Sequence, residues 1–148
     1  MADHQQHCII ALVDDDARVR ESLKHLLYSA GIEPRLFRSA EEALQPGGLD
    51  SVCCLVTDVR MPGIDGCELQ RRVAAIFPAL PVIFVTAHPD DKVRNNALAQ
   101  GAFAFLYKPV DGEEFLGTVD AAVKWSRDNA SGKLPDKAQP GGSRYVDR

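Results

Sequence analysis

Residues 8–23 read CIIALVDDDARVRESL, and the fold turns on how the first six of them end. Cys8 to Val13 form a continuous apolar run of strand length, without the alternation expected of a strand that is wet on one side. Such a run suits a strand buried on both faces, as in a parallel sheet covered by helices. Three adjacent carboxylates, Asp14, Asp15 and Asp16, stop it at once, and Val19, Leu23, Leu26, Leu27 and Ala30 then recur at helical spacing. Asp16 is placed to cap that helix and Gly31 to follow its end. The cap accounts for one acid. Asp14 and Asp15 are left at the end of a strand and need another reason.

Working outward, the alternation of strand and helix continues. EPRLF reads as a short extended piece, and in SAEEAL the pair Ser39 and Glu42 has capping-box spacing. SVCCLVT is a second β-branched apolar run, and it too ends on an acid, Asp58. The loop VRMPGIDG carries Pro62, Gly63 and Gly66 and precedes a helix with Leu69, Val73 and Ile76. VIFVT ends on Thr86. A weakly amphipathic helix is predicted from about Pro89 to Gln100, closed by Gly101, and AFAFLY is the last strand, running into Lys108-Pro109. A final helix opens at Asp111 with Glu114 three residues on, and buries Phe115, Leu116, Val119, Ala122 and Val123. Five strand signals alternating with five helix signals imply βαβ units, hence an α/β fold with a parallel sheet and helices on both faces. Right-handed crossovers place every strand's C-terminal end on one edge, where open α/β sheets bind ligands.

The totals bound the rest. At 148 residues and 45% apolar, the chain has room for one core. Its net charge of -4, with no basic run, weighs against direct nucleic-acid binding and gives no attraction to anionic lipid. No apolar stretch approaches the ~20 residues of a membrane span, and MADHQQH is unlike a secretory signal, so a cytoplasmic protein is expected. Cys8, Cys53, Cys54 and Cys67 are expected to be free, small apolar residues. His4, His7 and Cys8 could nominally hold a metal, but a flexible N-terminus over residues 1–7 is the plainer reading. The domain is expected over 8–126. From Arg127 onward Gly, Pro and Ser recur without large apolar residues, which reads as a disordered tail or truncated linker over 127–148.

Four strand ends are chemically distinctive: Asp14-Asp15, Asp58, Thr86 and Lys108. A strand order of 2-1-3-4-5 would bring Asp58 beside Asp14 and Asp15 at the switch point. Like charges ~4 Å apart at an effective dielectric of ~20 repel by about 4 kcal/mol, so such a trio should bind a cation or raise a pKa. Mg²⁺ suits a few carboxylates, retained waters and phosphate oxygens. Acids, a lysine and a threonine without a His or Cys base suggest phosphoryl transfer, with Asp58 as nucleophile. Each residue has a blander reading alone: helix caps for the acids, β-propensity for Thr86, a surface loop for Lys108, and loop shaping for Asp65.

In LVDDD, TDVRMPGIDG, VIFVTAH and FLYKP, in this order and at these spacings, residues 8 to 125 resemble response-regulator receiver domains of two-component signalling. VDDDARVRESL and YKPVDGEEFL are most similar to receivers of nitrogen-fixation-type transcriptional regulators. The resemblance implies the five-stranded flavodoxin-like receiver fold. It implies that Asp58 accepts a phosphoryl group from a sensor histidine kinase or phosphotransfer protein. It gives Asp14, Asp15, Asp58 and the backbone carbonyl of Arg60 to Mg²⁺, Lys108 to the phosphoryl oxygens, and Thr86 with Phe105 to the conformational switch. Arg60 and His88 fall where the family tunes phosphoryl lifetime. A homodimer through the helix 4, strand 5, helix 5 face, and an unidentified effector, are further expectations of the family. Phe105 departs from the Tyr common at its position, which removes a hydroxyl. On this reading the protein is a switch that catalyses only its own phosphorylation and dephosphorylation. The alternative is a Mg²⁺-dependent phosphohydrolase passing through an aspartyl phosphate, although Arg60 stands where such enzymes carry a second acid. A phosphorylation-independent interaction domain is a third reading.

Overall fold

The computed structural model describes residues 8–130. The expected flexible N-terminus over 1–7, with His4 and His7, and most of the expected tail lie outside the described residues. Five strands, β1 (Ile9–Val13), β2 (Glu33–Phe37), β3 (Val52–Thr57), β4 (Val82–Thr86) and β5 (Ala104–Tyr107), form one parallel sheet in the order β2-β1-β3-β4-β5. The helices are α1 (Ala17–Ser29), α2 (Ala40–Ala43), α3 (Gly66–Ile76), α4 (Asp91–Ala99) and α5 (Gly112–Ala130).

The unalternating strands are explained by two cores, one on each face. Ala11 and Val13 of β1 point with Leu55 and Phe84 toward Ala40, Leu69, Val73 and Ala97, that is, toward α2, α3 and α4. Ile10 and Leu12 point the other way, with Val56 and Ile83, toward Leu23 and Leu27 of α1 and Phe115, Val119 and Ala122 of α5. Successive side chains of a strand face opposite ways, so a strand covered on both sides must be apolar at every position. All five residues of β1, and all five of β4, are buried.

The helix starts follow their caps. Asp16 accepts from the Arg18 amide at 2.9 Å, Asp65 from Glu68 at 2.9 Å, and Asp90 from Lys92 and Val93 at 3.1 and 3.2 Å. Asp90, extended at φ -155°, therefore starts α4 later than the expected Pro89. The Ser39 hydroxyl accepts from the Glu42 amide at 3.0 Å, as a capping box requires, but the Glu42 carboxylate takes the Arg38 amide at 2.6 Å, one residue earlier than that motif. Ile76, apolar and in phase with Leu69 and Val73, is 59% exposed because α3 ends there, beyond the edge of the core.

Two expectations are corrected. The helix α5 continues to Ala130, so residues 127–130 are helical and not part of a tail; Arg127 favours the negative end of the helix dipole, and the Asn129 side chain donates to the Trp125 carbonyl at 2.8 Å. Cys8 and Cys53 are not free but joined as a disulfide, with Cα atoms 5.5 Å apart; Cys54 and Cys67 remain as thiols. Position 53 lies where the register of β1 on β3 slips between Ile9 and Ile10, and this places it beside the residue preceding β1. Burial pushes the Cys54 thiol far above its usual pKa, which leaves it unreactive. Alkylation of air-exposed, denatured protein should label two cysteines, and all four only after reductant. Four labelled without reductant would show that the bond does not form. A reducing compartment would oppose it.

Candidate functional site

Parallel pairing brings the ends of β1 and β3 together. Asp58 lies one residue past β3 and its amide donates to the Val13 carbonyl at 3.1 Å, while the Asp14 amide donates to Phe37 at 3.2 Å on the other side. The two acids are thus held by the sheet ladder itself, and both are buried, at 4% exposed for Asp14 and 8% for Asp58. Asp15 is exposed beside them, and the carboxylates of Asp14, Asp15 and Asp58 offer oxygens that all lie within 4.8 Å of one another. The expected trio is therefore assembled.

Lys108 reaches it from the far side of the sheet. Its Nζ donates to Asp14 Oδ2 and to Asp58 Oδ2, each at 2.9 Å, across 94 and 50 residues of sequence. The Lys108-Pro109 bond is cis, and the Lys108 amide donates to the Thr86 carbonyl at 2.9 Å. Burial pushes the Asp14 carboxyl above its usual range, although the Asp16 amide at 2.9 Å and the Lys108 ammonium pull the other way. Burial also works against the Lys108 ammonium, yet its two carboxylate partners raise its pKa above the ordinary lysine value. Both pKa values thus move up: burial disfavours the charged Asp14 carboxylate, whereas two anions at hydrogen-bond distance favour the charged Lys108 ammonium.

Asp58 Oδ1 points away from the lysine and accepts from the Val59 amide at 2.6 Å and the Arg60 amide at 3.4 Å. Gly66 closes this loop, its amide donating to the Val59 carbonyl at 2.9 Å, and a Cβ there would collide with the Asp58 carbonyl. Thr86 is fully buried, with Oγ1 accepting from the His88 amide at 3.2 Å. Phe105 is turned inward, 3% exposed, with its ring 5.6 Å from that of Phe84 and 5.6 Å from that of the exposed Tyr107. Arg60 and His88 are exposed at the rim. Asp65 is the α3 cap and stands apart from the acid trio.

Two residues of this neighbourhood were not singled out in the sequence. Arg20, on the second turn of α1, donates from Nη1 to the Asp14 carbonyl at 2.7 Å and so braces the loop that carries the acids. Glu41, on α2, accepts from the Ile64 amide at 2.9 Å, in the loop after Asp58. Arg20 could have been flagged by its position one turn beyond the Asp16 cap. Glu41 had no sequence signal, since its partner is 23 residues away.

The three acids and the lysine define an α/β domain whose chemistry lies at the β1–β3 switch point, where such sheets bind ligands. Residues 10–120 match the response regulator receiver domain family, and the chain belongs to that family. It is 40% identical over 119 residues to Nodulation protein W of Bradyrhizobium diazoefficiens, covering 80% of this chain and 52% of that protein. It is 38% identical over 115 residues to the transcriptional regulatory protein FixJ of the same organism, covering 78% and 56%. Among solved structures, the response regulator StyR superposes with a TM-score of 0.78 at 35% identity, covering 86% of this chain and 64% of that one. Full-length FixJ from B. japonicum superposes with a TM-score of 0.74 at 36% identity, covering 84% and 61%. The chain spans about half the length of Nodulation protein W and FixJ, and a quarter of the longer curated relatives it matches. Membership supports the phosphorylation switch of two-component signalling and not the phosphohydrolase. Among the described residues, no helix is long and apolar enough to cross a membrane.

Proposed function

We propose that Asp58 is the phospho-acceptor of this receiver, working in the cytoplasm with Mg²⁺, and that a histidine kinase or phosphotransfer protein supplies the phosphoryl group. The observation that carries this reading is the Lys108 ammonium bridging two buried carboxylates, one of which, Asp58, keeps its other oxygen on backbone amides. An Asp58 oxygen attacks phosphorus, the P–N bond of a phosphohistidine or the P–O bond of acetyl phosphate breaks, and its electron pair leaves with the donor. Lys108 then balances the charge of the acyl phosphate.

The donor set fits a hard divalent cation: oxygens of Asp14, Asp15 and Asp58 lie within 4.8 Å, two buried and one open to water, and the Arg60 carbonyl would serve as a fourth ligand. When bound, Mg²⁺ supplies charge neutralisation for the incoming phosphoryl group. Thr86 and Phe105 then act as the switch, Thr86 offering its hydroxyl to the phosphoryl oxygens and Phe105 packing behind it. The change is read by an effector through the face formed by α4, β5 and α5, with homodimerisation through that face as one outcome. The chain itself contacts no nucleic acid. Arg60 and His88 tune how long the phosphoryl group lasts, by governing the approach of water.

Intact mass after incubation with acetyl phosphate tests the centre of this reading. One phosphoryl group should be gained with Mg²⁺ and none after chelation, and the adduct should be lost at alkaline pH. A metal-independent adduct would refute the Mg²⁺ role. In the same assay the decay rate should change in Arg60→Ala or His88→Ala; lifetimes unchanged from wild type in both would remove the tuning role.

A further inference from the structure

We propose that Glu41 is a positioning residue for phosphoryl chemistry: from α2 it clamps the loop after Asp58, and so sets where the Arg60 carbonyl stands. This deepens the reading of Asp58 as acceptor and rests on it. The loop is pinned at its front by the Asp58 carboxylate, through the Val59 and Arg60 amides, and at its rear by the Gly66 amide on Val59. Between those points, residues 61–64 are tied to another element through the Ile64 amide, which donates to Glu41 Oε2 at 2.9 Å.

Two features of the loop match that one carboxylate. Gly63 takes φ +78°, a region side chains rarely enter, and this turns the Ile64 amide outward. A Cβ at Gly63 would also collide with Glu41 Oε2, so the carboxylate lies directly over the glycine. The Ile64 amide, first among its contacts, holds the Glu41 carboxyl below the usual range, consistent with an anion accepting this bond at neutral pH. The clamp has a firm base. Ala40 and Ala43 of α2 are fully buried, and Ser39 and Glu42 fasten its first turn. Glu41 projects from the opposite, exposed side. A charge-assisted bond to a backbone amide is stronger than a neutral one, and here it fixes the backbone of a segment whose Met61 side chain is already buried in the core, with Ile64 packed against it.

A merely structural cap and a positioning residue differ in what they change. The full chain is compared as wild type, Glu41→Ala and Glu41→Gln, the amide of Gln keeping an acceptor oxygen. Hydrogen exchange at Ile64, read without any metal, should be about tenfold faster in Glu41→Ala and near wild type in Glu41→Gln. The Mg²⁺ concentration giving half-maximal phosphorylation by acetyl phosphate should rise about fivefold in Glu41→Ala, with the final yield unchanged, and return within about twofold in Glu41→Gln. Unchanged Ile64 exchange in Glu41→Ala would overturn the clamp. Faster exchange with an unchanged Mg²⁺ requirement, or equal impairment in the two variants, would overturn the positioning role. Absence of any adduct in the wild type would instead refute Asp58 as acceptor, while the exchange result would still judge the clamp.

Discussion

Asp58→Asn is expected to abolish the phosphoryl adduct, leaving less than about 1% of the wild-type yield with either acetyl phosphate or a phosphohistidine donor. The substitution is nearly isosteric. The side-chain oxygen that accepts the Val59 amide at 2.6 Å can be kept, so the loop after β3 should hold its shape. What is lost is the anionic oxygen that attacks phosphorus, because a neutral amide oxygen is a poor nucleophile and cannot form a stable acyl phosphate. Removing one of two neighbouring carboxylates also relieves their mutual repulsion, which contributes to the raised Asp14 pKa. The variant without metal should therefore be no less stable than wild type, and its stabilisation by Mg²⁺ should shrink. Intact mass and thermal melting with and without Mg²⁺ check both parts. An adduct that survives would place the chemistry on Asp14 or Asp15, the other oxygens of the trio.

Lys108→Ala should have the second-largest effect, and it separates stability from signalling. Its ammonium is the cation between two side chains that are only 5% and 10% exposed. Removing one partner of a buried pair leaves uncompensated charge, so the metal-free variant should lose about 3 kcal/mol, or about 10 °C in melting temperature. The pH dependence follows from Asp14. Its folded pKa is already raised above 3.8 by burial, and loss of the lysine raises it further. A carboxyl raised on folding contributes favourably below its unfolded pKa, and that contribution is lost as pH rises through the folded value. The deficit against wild type should thus be small near pH 3, below the ordinary value of 3.8 from which the Asp14 carboxyl is raised, and grow as pH rises through its folded value. Mg²⁺ should restore more stability to the variant than it adds to wild type, since it supplies the missing positive charge. A pH-independent deficit, or no extra benefit from Mg²⁺, would show that the ion pair contributes little. If phosphorylation persists, an effector should fail to respond to the adduct, because the lysine proposed to balance its charge is gone.

Most of the sheet could be read directly. An apolar run that ends on acid and passes into a capped amphipathic helix admits few interpretations, and β1, β3 and β4 fall where IIALV, VCCLVT and VIFVT stand. Edges were harder. Pro89 and Asp90 both precede α4, and the side chain that caps was decided by which one could accept from Lys92 and Val93. Ile76 kept the period of α3 but had nothing left to pack against. Cys8 and Cys53 are 45 residues apart, and nothing in either segment announces that a register slip on β3 makes them neighbours.

By itself, the sequence determined the α/β class, the alternation of elements and the chemical identity of the rim, because strand and helix periods and helix caps are local properties of the chain. Only the tertiary structure decided that Lys108 touches Asp14 and Asp58, that Arg20 and Glu41 brace their loops, and that Cys8 reaches Cys53. Those are contacts between distant segments, set by parallel pairing and by helices packed across two cores. Their geometry exists only once every crossover has closed.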